Sequence, residues 1–323
     1  MSPMKLVEIL NGHKIYIQTH NFPDPDAMAS AYGLQEFFKH YGIVANLCYD
    51  GLIDKLSTKR MIKSFGMTII PKNELSDMTQ EDYIITVDSQ KYNSNLTDLI
   101  GEEVACVDHH PTVIDCEYRY KDVRITGACS SIVTSYFADT NTPLSPNVAA
   151  ALAYGIKMDT ADFTRQTTPF DIDMFAYAYK RADIQRLTSM YTNVMEFNDL
   201  KAYAAAIENI KVYGKTGFSV MPFDCPDALI ATVSDFILAL DVVDVSIIYA
   251  LRKDGIKFSI RSEIPEVDAG KLISLALQGF GDGGGHKAMA GGFIPKKNKK
   301  LLGKELDYTI RNLFLEVINK MIK

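Results

Sequence analysis

Two hydrophobic periods alternate along the first half of the chain. Residues 14–19 (KIYIQT) carry the β-branched and aromatic side chains of a strand. Residues 27–41 (AMASAYGLQEFFKHY) repeat apolar positions three and four apart until Gly42, which predicts a helix that stops there. A second strand is expected at 44–49, a helix near 55–65, and two short buried strands at 83–87 and 104–107. Helices follow near 130–138 and 146–157. Strands alternating with helices imply an α/β fold: a mostly parallel sheet with helices on both faces.

Residues 171–213 hold a long helical pattern with few breakers. The pattern changes again after Gly214. A strand near 217–222 precedes a helix at 227–240, then two β-rich runs, 243–252 and 256–262, flank Lys253-Asp254-Gly255. Asp-Gly favours tight turns, so this reads as a hairpin. A helix at 268–278 leads into GDGGGH, and 299–322 forms a final amphipathic helix. The expected division is a first, parallel-sheet domain at 1–185, a helical connector at 186–214, and a smaller α/β domain with a mixed sheet at 215–323.

Composition narrows the function classes. Of 323 residues, 47% are hydrophobic and 23% charged, which suits a globular protein with ample core. The net charge of −6 argues against gripping long duplex DNA, which needs a broad basic face. The five cysteines are odd in number and form no CxxC pair, so reduced thiols in a cytoplasmic protein are expected. The start lacks the apolar run of a signal peptide, and no stretch approaches the ~18 apolar residues of a membrane span.

The informative feature is where the metal-capable residues fall. His20 follows the first strand, with Asp24 and Asp26 in the loop after it. Asp88 follows 83–87; Asp108, His109 and His110 follow 104–107; Asp159 ends the apolar helix 146–158. In open α/β sheets, ligands bind beyond the carboxyl ends of the strands. Three strands deliver His and Asp to that edge. Carboxylates with a minority of imidazoles suit Mn²⁺ or Mg²⁺, and the set is large enough for two cations sharing a bridging carboxylate. Taken singly, each piece has a plainer reading. Asp24 and Asp26 flank Pro25 as in a turn before a helix, and Asp88 could cap a strand end.

These residues resemble the DHH phosphoesterase family. Its first motif, H-x-N-P-D-G-D-A-x-x-S, is matched by His20-Asn21-Phe22-Pro23-Asp24-Pro25-Asp26-Ala27-Met28-Ala29-Ser30, with Pro25 where Gly is usual. The name-giving triplet is Asp108-His109-His110, followed by Pro111. Val87-Asp88-Ser89 and Gly155-Ile156-Lys157-Met158-Asp159-Thr160 match two further motifs. The second half resembles a DHHA1 domain through Gly283-Gly284-Gly285-His286-Lys287, then Ala290-Gly291-Gly292. The nearest groups are the NanoRNase/pAp-phosphatases and the cyclic-dinucleotide phosphodiesterases. The chain looks too short for the RecJ exonuclease architecture.

The resemblance implies roles. His20, Asp24 and Asp88 would hold one cation; Asp26, Asp88, His109 and Asp159 would hold the other. Mn²⁺ is the first choice, with Mg²⁺ or Co²⁺ as alternatives. Asp108 would orient an imidazole, and His110 would face the substrate phosphate and protonate the leaving oxygen. Gly283, Gly284 and Gly285 would let backbone N–H groups approach a phosphate, with His286 and Arg261 as further contacts. Ser130, in the small-residue segment Thr126–Ser131, and Arg165 are weaker substrate candidates. As a plain helix start, Ser130 is equally acceptable as an N-cap. The implied substrate is a small nucleotide such as pAp, or single-stranded RNA of two to five nucleotides, bound in a cleft between the domains. No membrane partner is implied, and family members often pair, which points to a homodimer. The alternatives are a cyclic-di-AMP or pApA phosphodiesterase, a pyrophosphatase or polyphosphatase, and a non-catalytic nucleotide sensor.

Overall fold

β1 (Ile15–Thr19) is buried at every position, as a central parallel strand must be. The structure, a computed structural model, describes residues 2–53, 55–192 and 195–322. The chain divides into two units, Met1–Val194 and Met195–Lys323.

In the first unit, α1 (Pro3–Leu10) precedes β1. Next come α2 (Pro25–Lys39), β2 (Ala45–Tyr49), α3 (Leu56–Phe65), β3 (Ile69–Pro71), β4 (Tyr83–Val87), β5 (Glu102–Asp108) and β6 (Tyr120–Val123). The helices α4 (Cys129–Thr140), α5 (Pro146–Asp159), α6 (Pro169–Tyr179) and α7 (Ile184–Ser189) follow. The six strands are all parallel, in the order β3-β2-β1-β4-β5-β6. The chain moves outward from β1 to β3 and then returns to place β4 on the other side of β1. That reversal opens a crevice at the carboxyl ends of β1 and β4, the position where open α/β sheets bind ligands.

One face of the sheet, with Ile15, Ile17, Ile85, Val87 and Val107, packs against α2, α4 and α5 in the main core. The other face is covered differently from expectation. There Tyr16, Cys48 and Ile84 pack with Met78, Leu75 and Leu99, which come from loops, so the helices do not cover both faces equally.

The second unit contains α8 (Leu200–Asn209), β7 (Lys211–Tyr213), β8 (Thr216–Met221), α9 (Asp227–Leu238), β9 (Val245–Leu251), β10 (Gly255–Ser262), α10 (Ala269–Ala276), β11 (Asp282–Gly285), β12 (Met289–Pro295) and α11 (Leu306–Met321). Its sheet runs β11-β12-β10-β9-β8-β7. Only β8 and β9 pair in parallel, so the sheet is mixed.

The segment expected as a connector is not free-standing. α8 buries Ala202, Ala205 and Ala206 in a core it shares with α9 and with Met221 of β8, while α7 buries Leu187 in the first unit. Residues 193 and 194, inside that segment, lie outside the described residues. The hairpin between β9 and β10 forms, but Lys253 and Asp254 make its tip, since Arg252 and Gly255 are already hydrogen-bonded. Gly255 is needed for space: a Cβ there would stand 2.1 Å from the Ile294 carbonyl oxygen. Among the described residues, no helix is long and apolar enough to cross a membrane.

Candidate metal centre

The loop after β1 turns directly into α2. Asp24 is the N-cap, and its Oδ1 accepts from the N–H groups of Asp26 (3.0 Å) and Ala27 (3.2 Å). Pro25 occupies the first helical position, where its fixed φ fits and its missing N–H costs nothing. That is why proline is tolerated where the motif usually has glycine. Asp26 is buried, and its carboxylate receives the N–H groups of Cys129 (2.7 Å) and Ser130 (2.9 Å) at the start of α4. Those donors are the unpaired N–H groups of a helix N-terminus, which also favours negative charge.

Asp88 lies beyond β4 with φ +59°, a left-handed conformation that Asp and Asn accept more readily than other side chains. Its two oxygens face opposite neighbours. Oδ2 is 3.6 Å from His20 Nε2, and Oδ1 is 3.2 Å from His109 Nε2. His109 Nε2 is also 3.3 Å from Asp159 Oδ2, and His20 Nε2 is 4.0 Å from Asp24 Oδ1. Three ligand-like groups result among the described residues, His20-Asp24-Asp88, Asp26-His109-Asp159 and Asp88-His109-His110, with the candidate atoms of each group within 4.8 Å of one another.

The tautomers are set from behind. His109 Nδ1 is 3.0 Å from the Thr126 carbonyl and His20 Nδ1 is 2.7 Å from the Asn21 carbonyl. A carbonyl only accepts, so both Nδ1 atoms carry hydrogen and both neutral rings present Nε2 lone pairs to carboxylates. Lone pairs facing carboxylates repel unless a cation or a proton lies between them. Asp88 Oδ1 is buried, and the approach of His109 is too poorly aligned to give it a hydrogen bond. Four carboxylates, two imidazoles and an orphaned buried oxygen fit divalent cations.

Without cations, protons fill the same role. Burial alone would lower the pKa of His109. The Asp88 carboxylate 3.2 Å away, with Asp26 and Asp159 behind it, overrides burial and raises it to about 11. His20 is raised to about 9 in the same way, by Asp88 and Asp24 against burial. Burial and neighbouring carboxylates push Asp159 up to about 6 and Asp26 well above the usual carboxylate range. Asp88 itself is depressed: burial would raise it, but the two imidazoles outweigh that.

The sign follows directly. Each raised imidazole stabilises the metal-free fold below the ordinary histidine pKa, and that contribution disappears as pH rises through about 9 for His20 and about 11 for His109. Ligation requires deprotonated rings, so Mn²⁺ should displace these protons and bind more tightly as pH rises. Calorimetric titration at about pH 7.5, in buffers with different ionisation heats, is expected to show more than one proton released per protein. Release near zero would mean that the rings are already neutral.

Asp108 is fully buried and joins none of these groups. Its Oδ1 accepts from the His109 N–H (2.8 Å) and lies 2.9 Å from His110 Nδ1, and its Oδ2 accepts from Gln90 Nε2 (2.7 Å). Asp108 raises the His110 pKa against the opposing effect of burial. The His110 side chain is 50% exposed. Arg165 folds onto Asp159, donating to its carbonyl (2.6 Å), with Nη2 3.4 Å from its carboxylate.

A model of the DHH family N-terminal domain matches residues 14–156, and a DHHA1 domain model matches 214–312, together covering most of the sequence. The chain carries a DHH family N-terminal domain and a DHHA1 domain. An uncharacterized protein of Methanocaldococcus jannaschii is 29% identical over 313 residues, spanning 94% of this chain and 64% of the relative. The cyclic-di-AMP phosphodiesterase GdpP of Geobacillus thermodenitrificans is 23% identical over 298 residues, spanning 86% of this chain and 44% of that protein. A probable manganese-dependent inorganic pyrophosphatase of Streptococcus thermophilus is 27% identical over 161 residues, covering 48% of this chain and 51% of that protein. The chain thus spans less than two thirds of the length of these relatives. The crystal structure of an exopolyphosphatase-related protein from Bacteroides fragilis shares the fold, with TM-score 0.77 at 18% identity over 99% of this chain and 96% of that one.

In the DHHA1 unit, the glycine run forms a strand. β11 pairs with β12, Gly284 opposite Gly291, and lies at the sheet edge, so its outer backbone groups lack a strand partner. A Cβ on Gly284 would meet nothing within 4 Å, whereas one on Gly283 would strike Ile273. Gly285 has φ +153° and needs to be glycine on that ground alone. His286 is exposed.

Two expected substrate contacts need correction. Arg261 is paired with Asp235 of α9 at 2.5 Å and also donates to Ser259 Oγ, with only 12% of its side chain exposed. Its fork is already filled, so a phosphate would have to displace Asp235. Ser130 is fully buried inside α4, its hydroxyl against Ser30 and the Asp26 carbonyl. It is neither an N-cap nor exposed to substrate; its N–H group holds Asp26.

Sequence reading passed over three residues. Gln90 could have been noticed as a polar side chain just past a buried strand. Asp171 was legible only as a helix cap, three residues after Thr168. Phe22 gave no signal beyond standing at the Asn of the first motif. It has φ +59° and is 58% exposed, with its ring against Gly51 and two residues from both His20 and Asp24.

Proposed function

We propose that this chain is a two-metal phosphoesterase that hydrolyses phosphate esters of short oligoribonucleotides or of pAp. The observation that carries this reading is the pair of imidazoles whose Nδ1 atoms are tied to main-chain carbonyls while their Nε2 atoms face opposite oxygens of Asp88. His20, Asp24 and Asp88 would hold one divalent cation, and Asp26, Asp88, His109 and Asp159 the other. Mn²⁺ is the first choice, since the pyrophosphatase relative is named manganese-dependent. Cations there would supply Lewis acidity to a phosphate oxygen and to an attacking water. His110 would do the proton work: Asp108 at Nδ1 favours the imidazolium form, whose Nε2–H would donate to the leaving oxygen and leave a neutral ring. Gly284 and its neighbours would offer backbone N–H groups to a phosphate.

Phe22 supports a nucleotide over an inorganic phosphate. A bulky residue in the left-handed region costs on the order of 1–3 kcal/mol, and such outliers cluster at functional sites. An exposed ring beside the metal cluster suits a base, because every base has a face to stack. Likeness to the pyrophosphatase stops at 48% of this chain, whereas likeness to the cyclic-di-AMP phosphodiesterase covers 86%. That coverage favours linear or cyclic dinucleotides as the second reading.

The test is a substrate panel with Mn²⁺: di- to pentaribonucleotides, pAp, pApA, cyclic di-AMP and pyrophosphate. Turnover of the short RNA or pAp is expected, and hydrolysis of pyrophosphate alone would overturn the reading. Phe22→Ala should raise KM for nucleotides by roughly 5- to 150-fold, the equivalent of about 1–3 kcal/mol of stacking, with kcat unchanged. An unchanged KM would remove Phe22 from the site.

A further inference from the structure

We propose that Asp171, in the first turn of α6, is a positioning residue that sets two members of the metal cluster, His109 and Asp26, through the turn 126–131. The inference rests on the two-metal reading above for its consequence, and on hydrogen bonds for its geometry.

Asp171 is fully buried. Four donors converge on its two oxygens. Oδ2 receives the Gly127 N–H (2.8 Å), the Thr168 N–H (2.8 Å) and the Thr168 hydroxyl (2.6 Å), and Oδ1 receives the Ser131 hydroxyl (2.6 Å). The two bonds from Thr168 are local, and the one from its N–H is half of the capping box of α6. The other two reach about forty residues back along the chain and are not needed to cap a helix.

Those two grip the turn at both ends. Gly127 follows Thr126, whose carbonyl receives His109 Nδ1 and thereby directs Nε2 toward Asp88 and Asp159. Ser131 follows Cys129 and Ser130, whose N–H groups hold both oxygens of Asp26. α4 has no side-chain cap of its own, because its N-cap position is Ala128. Asp26 therefore serves as the acceptor for those N–H groups, and Asp171 fixes where they lie. The turn has no slack: a Cβ on Gly127 would stand 2.7 Å from Thr160 Cγ2 and 2.9 Å from Asp171 Oδ2. One carboxylate outside the cluster thus orients an imidazole and a carboxylate that arrive from different elements. Partners behind metal ligands usually matter in this way, because they fix ring orientation and basicity.

The experiment compares Asp171→Ala with Thr168→Ala, using two readouts. The first is Mn²⁺ affinity by calorimetry. The second is ¹⁵N NMR of the His109 Nδ1–H in the metal-free protein, which does not depend on metal binding. Asp171→Ala should lower Mn²⁺ affinity by about 10–100-fold and make the Nδ1–H exchange with water much faster. Thr168→Ala removes the local hydroxyl bonds at the helix start and leaves the Gly127 and Ser131 bonds to Asp171 in place, so it should lower the melting temperature and leave both readouts within about twofold of wild type. If Asp171→Ala also lowers only the melting temperature, Asp171 is a helix cap and the proposal is overturned. If Asp171→Ala does not fold, Ser131→Ala takes its place. A several-fold drop in Mn²⁺ affinity would then support the proposal, and wild-type values would overturn it. Wild-type protein that binds no Mn²⁺ would sink the two-metal reading, while the NMR comparison still decides the role of Asp171.

Discussion

Asp88→Asn is expected to leave a folded protein with no measurable phosphoesterase activity. Asn keeps the shape of the side chain and tolerates φ +59°, so the backbone beyond β4 can stay in place, which alanine would not ensure. The substitution removes the one group whose oxygens face both His20 and His109. Loss of a partner behind a ligand costs about 10–100-fold, and loss of a shared ligand should cost well beyond that. Mn²⁺ binding should weaken at both positions together. The metal-free protein should respond as well, since Asp88 is the main cause of both raised imidazole pKa values. In the variant those rings should titrate closer to the ordinary histidine range. NMR titration and calorimetry check this independently of turnover. Near-native activity would show that Asp88 is not shared between two cations.

His110→Gln is expected to have the second largest effect and a different signature. His110 lies within ligand distance of Asp88 and His109, but its Nδ1 is 2.9 Å from Asp108 and 3.7 Å from Asp88, so it is not assigned to either proposed cation. Loss of a general acid typically lowers kcat by roughly 10²–10⁴-fold. Mn²⁺ affinity should stay at the wild-type value. The defect should be large for nucleotide esters, whose leaving alkoxide needs a proton, and small for a p-nitrophenyl ester, whose leaving group does not. Equal loss on both substrates would assign His110 to charge stabilisation rather than proton donation.

Much of the site was legible because it depends on position in a parallel sheet. His20, Asp88 and Asp108 each end or follow a strand whose apolar run is plain in the sequence, and sheet topology brings such ends to one edge. What sits behind the ligands was not legible. The carbonyls of Thr126 and Asn21 have no sequence signature, because any residue supplies one. Ser130 looked like an N-cap, yet α4 starts one residue earlier and takes its acceptor from Asp26, more than a hundred residues away in the chain. Arg261 looked free because its partner, Asp235, lies on a different element. β11 was missed for another reason: glycines carry no side-chain alternation, so its pairing with β12 leaves no pattern to read. The 299–322 helix was overextended, since Lys296–Leu302 forms a 3-10 turn and α11 begins only at Leu306.

The most direct measurement is anomalous scattering from a crystal grown with Mn²⁺. The expected result is two peaks, roughly 3.5–4 Å apart, on either side of the Asp88 carboxylate, one beside His20 and Asp24 and the other beside Asp26, His109 and Asp159. A single peak away from Asp88, or none in the crevice between β1 and β4, would contradict the account.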